Sequence, residues 1–449
     1  MKLALIVILL RFAFCTYRAA TQSITHDEAF TYLRFVSGDW SNSYQAYDAN
    51  NHILYTILAR ISVWCLGNSE FSLRLPSLIA GLALSVGVYF VLRPIRSQAI
   101  RSIAFLAILL HPLLLDFSVA ARGYGLSLAL LVWASYFTWN SRYVIAGILL
   151  GLTTAANLTA AFPAIAMILA AGVISLRVQV GAKMAFASLI SFLTLCYLPL
   201  QSASPANFYV GLQTLTESVF NLVLLSIRTN FARAGMFGTE AAAKLIQQLV
   251  LPFVIGAMFL AMRSTRTLQK WLAPLTLCLS IFGLVAAHQL FAVLYPADRT
   301  GLWLIPLFFI AWAFSVDEER LSSIRLIHAA LAIAILIQFG TQIQTRYFVI
   351  WAFDQHTSEV AEWLKKKTEN RPQGSVSVST SMARHPAMEY YRMQLPIPAL
   401  QPIKRQAEAP LSGHDYYVLS FPDSTKPQVK RLRALQADMQ VGDVFAAEP

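Results

Sequence analysis

The chain has 449 residues, of which 57% are hydrophobic and only 13% charged, with a formal net charge of +12. Soluble domains carry about a quarter charged residues, so this composition excludes a soluble globular protein. The positive excess would suggest nucleic acid in a soluble chain, but here it falls in short loops between apolar runs and reads as membrane orientation, not nucleic-acid binding.

Apolar runs long enough to cross a bilayer, about 17–25 residues each, recur from the N-terminus to Gln342. Met1-Lys2 and the apolar stretch 3–10 resemble a signal peptide, yet no small-residue cleavage site follows, and Arg11 and Arg18 interrupt the run. The segment therefore reads as an uncleaved first span, in which Arg11 must snorkel or find a partner. Further spans are expected near 73–92, 101–115, 123–139, 143–158, 160–176, 184–200, 247–262, 271–293, 300–315 and 324–341, about eleven transmembrane helices with the first. With the N-terminus inside the cytoplasmic membrane, the short inner loops carry Arg93, Arg96, Arg101, Arg142, Arg177, Lys183 and Lys270, as the positive-inside rule requires. The outer side then receives loop 21–72, turn 116–122, loop 201–246 and the tail from 342. Arg34, Arg60, Arg74, Arg122, Arg228, Arg233 and Arg299 lie on that side unexplained by orientation, and anion binding is one reason for them.

Loop 21–72 follows the first span directly and holds Thr25-His26-Asp27-Glu28-Ala29-Phe30-Thr31. Thr25 with Glu28 three residues on is a capping-box pattern, which predicts a helix from His26 through Phe35. Glu28 has that structural duty, whereas Asp27 has none. A carboxylate in a first helical turn is favoured as an anion and can take a proton from an acceptor hydroxyl, so Asp27 and Glu28 are the candidate catalytic pair. His52, Thr56 and Arg60 recur every four residues in an apolar stretch ending at Leu66, which predicts an interfacial helix with one polar stripe. Arg122 in Ala121-Arg122-Gly123-Tyr124-Gly125 and Arg299 in Pro296-Ala297-Asp298-Arg299-Thr300 lie in very short outer turns. A guanidinium there can grip a phosphate through two parallel bonds.

The tail holds 24 of the 58 charged residues, so a boundary falls near 341/342. Within it, 356–367 and 387–393 read as helices and 375–380 and 416–420 as strands, a small α/β module with no nucleotide-binding loop. Its expected role is docking or covering. Cys15, Cys65, Cys196 and Cys278 are scattered, which argues against a disulfide framework or a cysteine metal site.

Four segments resemble the GT-C glycosyltransferases of family 39, the protein-mannosyltransferase and aminoarabinose-transferase type. They are Asp27-Glu28-Ala29-Phe30 after the first span; Asn51-His52-Ile53-Leu54-Tyr55 leading to Ser69-Glu70-Phe71-Ser72-Leu73-Arg74-Leu75-Pro76-Ser77; Phe117-Ser118-Val119-Ala120-Ala121-Arg122-Gly123-Tyr124; and Asp298-Arg299-Thr300 followed by Pro306. Together they span residues 20–310, about two thirds of the chain. The resemblance implies a GT-C fold over 1–341 and an extracytoplasmic domain over 342–449. It further implies transfer of a sugar from a polyprenyl-phosphate donor in the membrane to a lipid, glycan or protein acceptor, with inversion at the anomeric carbon. Asp27 is then the base. His52, Arg60, Arg74, Arg122, Tyr124 and Arg299 are the substrate-binding set, with Glu28 in support. Ala120 stands where the family turn often has Glu, so no metal site is expected; no cofactor is required, and a divalent cation is not predicted. The alternative is a polytopic transporter or lipid-linked-sugar flippase, which would more often show paired repeats and polar groups at mid-membrane.

Overall fold

The computed structural model describes the chain except residues 1, 46, 205–209, 234, 236, 264, 266, 408, 411, 421–432, 437–442 and 447–449. Helices dominate, because backbone polar groups in hydrocarbon must be satisfied within their own segment. Among the described residues eight helices are long and apolar enough to cross a membrane: Lys2–Thr21, Glu70–Leu92, Leu158–Ser175, Val178–Gln201, Glu240–Met262, Gln269–Phe291, Asp298–Glu318 and Ser322–Gln342. Shorter apolar helices Ile53–Leu66, Gln98–Leu109, Tyr143–Ala156 and Leu215–Ile227 accompany them, with Gly123–Trp139. The chain is a multi-pass helical membrane protein.

Several elements differ from their expected bounds for identifiable reasons. The run 101–115 is broken: Pro112 ends helix Gln98–Leu109 and then opens the short helix Pro112–Asp116 at its first position. Helix Tyr143–Ala156 stops at Asn157, whose extended backbone and side-chain oxygen cap the next turn. Loop 201–246 contains the helix Leu215–Ile227, started by a full capping box at Thr214 and Glu217.

Two compact units divide the described chain. The first comprises Met1–Tyr17, Tyr44–Tyr55 and Pro76–Gln344, and the second Arg18–Ser43, Thr56–Leu75 and Thr345–Pro449.

In the first unit, helices Tyr143–Ala156 and Val178–Gln201 pack closely through Gly147 and Gly151. A Cβ on Gly151 would sit 2.0 Å from Ser191 Oγ and one on Gly147 2.5 Å from the Met184 carbonyl. Arg11 finds the partners it needs. Its guanidinium donates to the carbonyls of Leu109 and Gly81 at 2.9 Å and to Ser85 and Ser118 hydroxyls at 3.1 and 2.6 Å. At one end of helix Asp298–Glu318, Asp317 accepts from the Ser97 N–H at 2.9 Å, and Glu318 pairs with Arg96 at 2.8 Å and with Lys270. Loops that the charge pattern groups together are thus held together. At the other end of that helix, Asp298 N–H donates to Asn221 at 2.7 Å, Ser218 to the Pro296 carbonyl at 2.6 Å, and Leu212 bridges Tyr295.

In the second unit, the C-terminal region forms a four-stranded sheet, β1 Val378–Thr380, β2 Tyr416–Leu419, β3 Arg433–Gln436 and β4 Asp443–Ala446, in the order β1-β2-β4-β3. β1 and β2 are parallel and joined through helix His385–Gln394, whereas β4 runs antiparallel to both β2 and β3. Helix Thr357–Thr368 buries Val360 and Leu364 in a core with Val376, Val378, Met388 and Val418. Helix His385–Gln394 also meets the segment that follows the first span: the Ile24 N–H donates to the Tyr391 hydroxyl at 2.9 Å, and the Tyr390 and Tyr32 rings lie edge to face at 5.1 Å.

Candidate active site

The expected capping box is present. Thr25 Oγ1 accepts the Glu28 N–H at 3.3 Å, and Glu28 Oε2 accepts the Thr25 N–H at 2.9 Å. The helix it starts runs from His26 to Thr31 and continues as a π-helix over Tyr32–Val36. Glu28 is fully buried and carries a second load. Arg74 Nε and Nη2 donate to its two carboxylate oxygens at 2.9 and 2.7 Å. The remaining Arg74 bonds reach the carbonyls of Ala19 at 3.2 Å, Gln22 at 2.7 Å and Ser23 at 2.8 Å. All five guanidinium N–H groups are therefore engaged with the loop that enters the helix. Glu28 and Arg74 form a buried bidentate pair that holds Asp27, also buried, one residue away.

Two residues that the sequence reading did not single out join Asp27. Asp354 Oδ2 accepts the His26 N–H at 2.7 Å and its other oxygen the Thr357 hydroxyl at 3.3 Å. Arg384 is buried and its charge acts on Asp354, while His26 Nδ1 lies 2.7 Å from the Ala383 carbonyl. The available signal was positional: Asp354 follows the last span as Asp27 follows the first. Burial pushes the Asp354 carboxyl up to about 8; the Asp27 charge adds to the push, and Arg384, the His26 N–H and Thr357 oppose it.

The sign of the consequence follows from proton linkage. The folded protein holds this proton up to about pH 8, whereas an ordinary aspartate loses it near 3.8. Stability therefore falls as pH rises through that window, by up to about 1.4 kcal/mol per pH unit. Asp354→Asn is expected to flatten the decline. Thermal melts of the variant at mildly acidic and mildly alkaline pH should differ less than those of the wild type; an unchanged difference would mean that another group titrates.

A second constellation lies in the first unit. Arg122 caps the start of helix Gly123–Trp139 with extended backbone, and donates to the Asn50 carbonyl at 3.0 Å and the Asn50 side-chain oxygen at 2.9 Å. Gly123 permits the close approach that follows, because a Cβ there would lie 2.0 Å from the Ala156 carbonyl and 2.8 Å from His52 Cβ. His52 Nδ1 sits 2.8 Å from the Ala156 carbonyl, and its ring meets Tyr124 edge to face at 4.7 Å. A carbonyl only accepts, so Nδ1 carries the proton and Nε2 presents a lone pair. Burial, with Arg122 and then Arg299 as neighbouring charges, holds the His52 pKa well below the usual imidazole value. Arg299 comes from the turn Asp298–Gly301, entered by Asp298 at φ 48°, a left-handed conformation that aspartate tolerates.

The structure thus brings His52, Arg122, Tyr124 and Arg299 together, and joins Asp27 to Asp354 and Arg384. Arg60 sits elsewhere. Its Nη1 donates to the Phe35 and Asp39 carbonyls at 2.8 Å and to Ser43 at 3.0 Å, its Nη2 to the Gly38 carbonyl, and its guanidinium lies 4.6 Å over the Trp40 ring. It closes the turn after the π-helix. The expected polar stripe on Ile53–Leu66 is buried at Thr56 and Arg60, while Ile61, Trp64 and Leu66 are exposed. An apolar outer face is what a lipid environment favours.

Comparison with solved structures decides the architecture. The chain superposes on the crystal structure of ArnT from Cupriavidus metallidurans bound to undecaprenyl phosphate with a TM-score of 0.60, covering 100% of this chain and 99% of that one at 12% identity. The apo-state structure of that protein gives the same TM-score and coverage at 13% identity. The chain has the GT-C fold. No protein-family model and no curated protein matches the sequence.

Proposed function

We propose that this chain is a GT-C glycosyltransferase that moves a sugar from a polyprenyl-phosphate donor to an acceptor at the outer face of the cytoplasmic membrane, with inversion. The observation that carries the reading is the convergence of Arg122, Arg299 and His52 in a protein whose fold matches, end to end, one crystallised with undecaprenyl phosphate. The chemistry needs two things. The acceptor hydroxyl must lose its proton as it attacks the anomeric carbon, and the departing phosphate must accept one more negative charge. Asp27 takes the proton. Arg122 and Arg299 meet the charge on the phosphate, with His52 and Tyr124 beside them. Glu28 and Arg74 hold the Asp27 helix in place, and Arg60 shapes the loop that follows. Residues 342–449 act as an extracytoplasmic domain whose Asp354 and Arg384 tune the Asp27 environment.

Envelope and lipid mass spectrometry on wild-type, deletion and Asp27→Asn strains tests the reading. Both altered strains should lack one sugar on an envelope component and accumulate the polyprenyl phosphosugar. A changed solute content with intact glycoconjugates would instead indicate transport. Arg122→Ala should weaken donor binding roughly tenfold to hundredfold, the cost of losing a charged hydrogen-bond partner. Unchanged donor affinity in a folded variant would remove Arg122 from the phosphate site.

A further inference from the structure

His52 cannot serve a phosphate in the form it takes here. Its Nδ1–H is committed to the Ala156 carbonyl at 2.8 Å. Its buried Nε2 has no hydrogen-bond partner among the described residues. Ionised phosphate oxygens, like that nitrogen, only accept, so a lone pair on Nε2 would repel an ionised phosphate drawn in by the neighbouring arginines. Turning the ring over would give up the Ala156 bond.

We propose that the GT-C phosphate site binds its anion together with one proton, taken from solvent by His52 Nε2, so that the imidazole becomes a third cation only while a phosphate is present. This rests on the phosphate-binding reading of Arg122 and Arg299. The groups that face His52 fit it. Arg122 and Tyr124 come from the start of helix Gly123–Trp139, the Ala156 carbonyl from the end of helix Tyr143–Ala156, and Arg299 from the turn Asp298–Gly301. The titratable groups nearby on its own segment are Tyr47, which burial keeps protonated, and Asp48, whose oxygen accepts the Asn50 N–H at 2.8 Å. In the empty site two guanidinium charges oppose a third cation, and an arriving phosphate cancels that opposition. The consequence is product discrimination. The released lipid phosphate is a monoester with one more ionisable oxygen than the diester donor, so it draws the proton more strongly, and its release is favoured as pH rises.

The test is calorimetric titration of the full-length protein in detergent with farnesyl phosphate, in two buffers of different ionisation enthalpy, with farnesol as control. His52→Asn keeps an amide donor for Ala156 and lacks Nε2; His52→Gln, the second variant, places a neutral donor near the Nε2 position. Wild type should take up about one more proton per bound farnesyl phosphate than either variant, and its affinity should fall about tenfold more per pH unit above neutrality. Equal proton counts with affinity retained, or a wild-type affinity independent of pH, would overturn the proton coupling while leaving the phosphate reading intact. Farnesyl phosphate binding no better than farnesol would overturn both.

Discussion

Asp27→Asn is expected to slow sugar transfer by about 10²–10⁴-fold, the usual contribution of a positioned general base. The change is nearly isosteric and leaves the neighbouring Glu28–Arg74 pair and the Thr25 capping box untouched. Melting temperature and donor affinity should therefore stay close to wild type, so that the loss appears in turnover alone. Single-turnover transfer from a purified polyprenyl phosphosugar would read this directly. Wild-type turnover by the variant would show that the acceptor proton goes elsewhere.

The second large effect concerns folding. Arg74→Ala removes five hydrogen bonds and leaves the Glu28 carboxylate buried without its counter-charge, which costs about 3–5 kcal/mol. Natural domains have only about 5–15 kcal/mol in hand, so the variant should melt far lower or fail to yield monodisperse protein. Arg74→Lys should fare little better, because an ammonium cannot span two carboxylate oxygens and three carbonyls at once. Replacing both partners with apolar residues should recover part of the loss, since no charge is then left stranded. A wild-type melting profile for Arg74→Ala would mean that the pair contributes nothing to the fold.

The sequence made much of the local architecture legible. The capping box at Thr25 and Glu28 depends on residues three apart, and it forms as read. Helices Glu70–Leu92 and Ser322–Gln342 follow from apolar length alone. Leu215–Ile227 and the broken 101–115 run were harder, because a short apolar helix inside a long loop and a proline after a histidine give weaker signals than a long unbroken apolar run. Among the candidate residues, His52, Arg122 and Arg299 could be picked out by type and position. Asp354 was marked only by its place after the last span, and Arg384 by nothing, since a tail without motifs offers little reason to prefer one carboxylate or guanidinium over another.

Composition and hydropathy by themselves determined that this is a helical multi-pass membrane protein, because bilayer thickness and backbone hydrogen bonding leave a long apolar run few other options. Only the tertiary structure decided which charges are bound to which. The Arg74–Glu28 pair joins residues 46 apart in sequence, and the Asp354 bond to His26 joins residues 328 apart. Burial and pairing set the ionisation and the work of each group, and both arise from contacts that local sequence patterns do not encode.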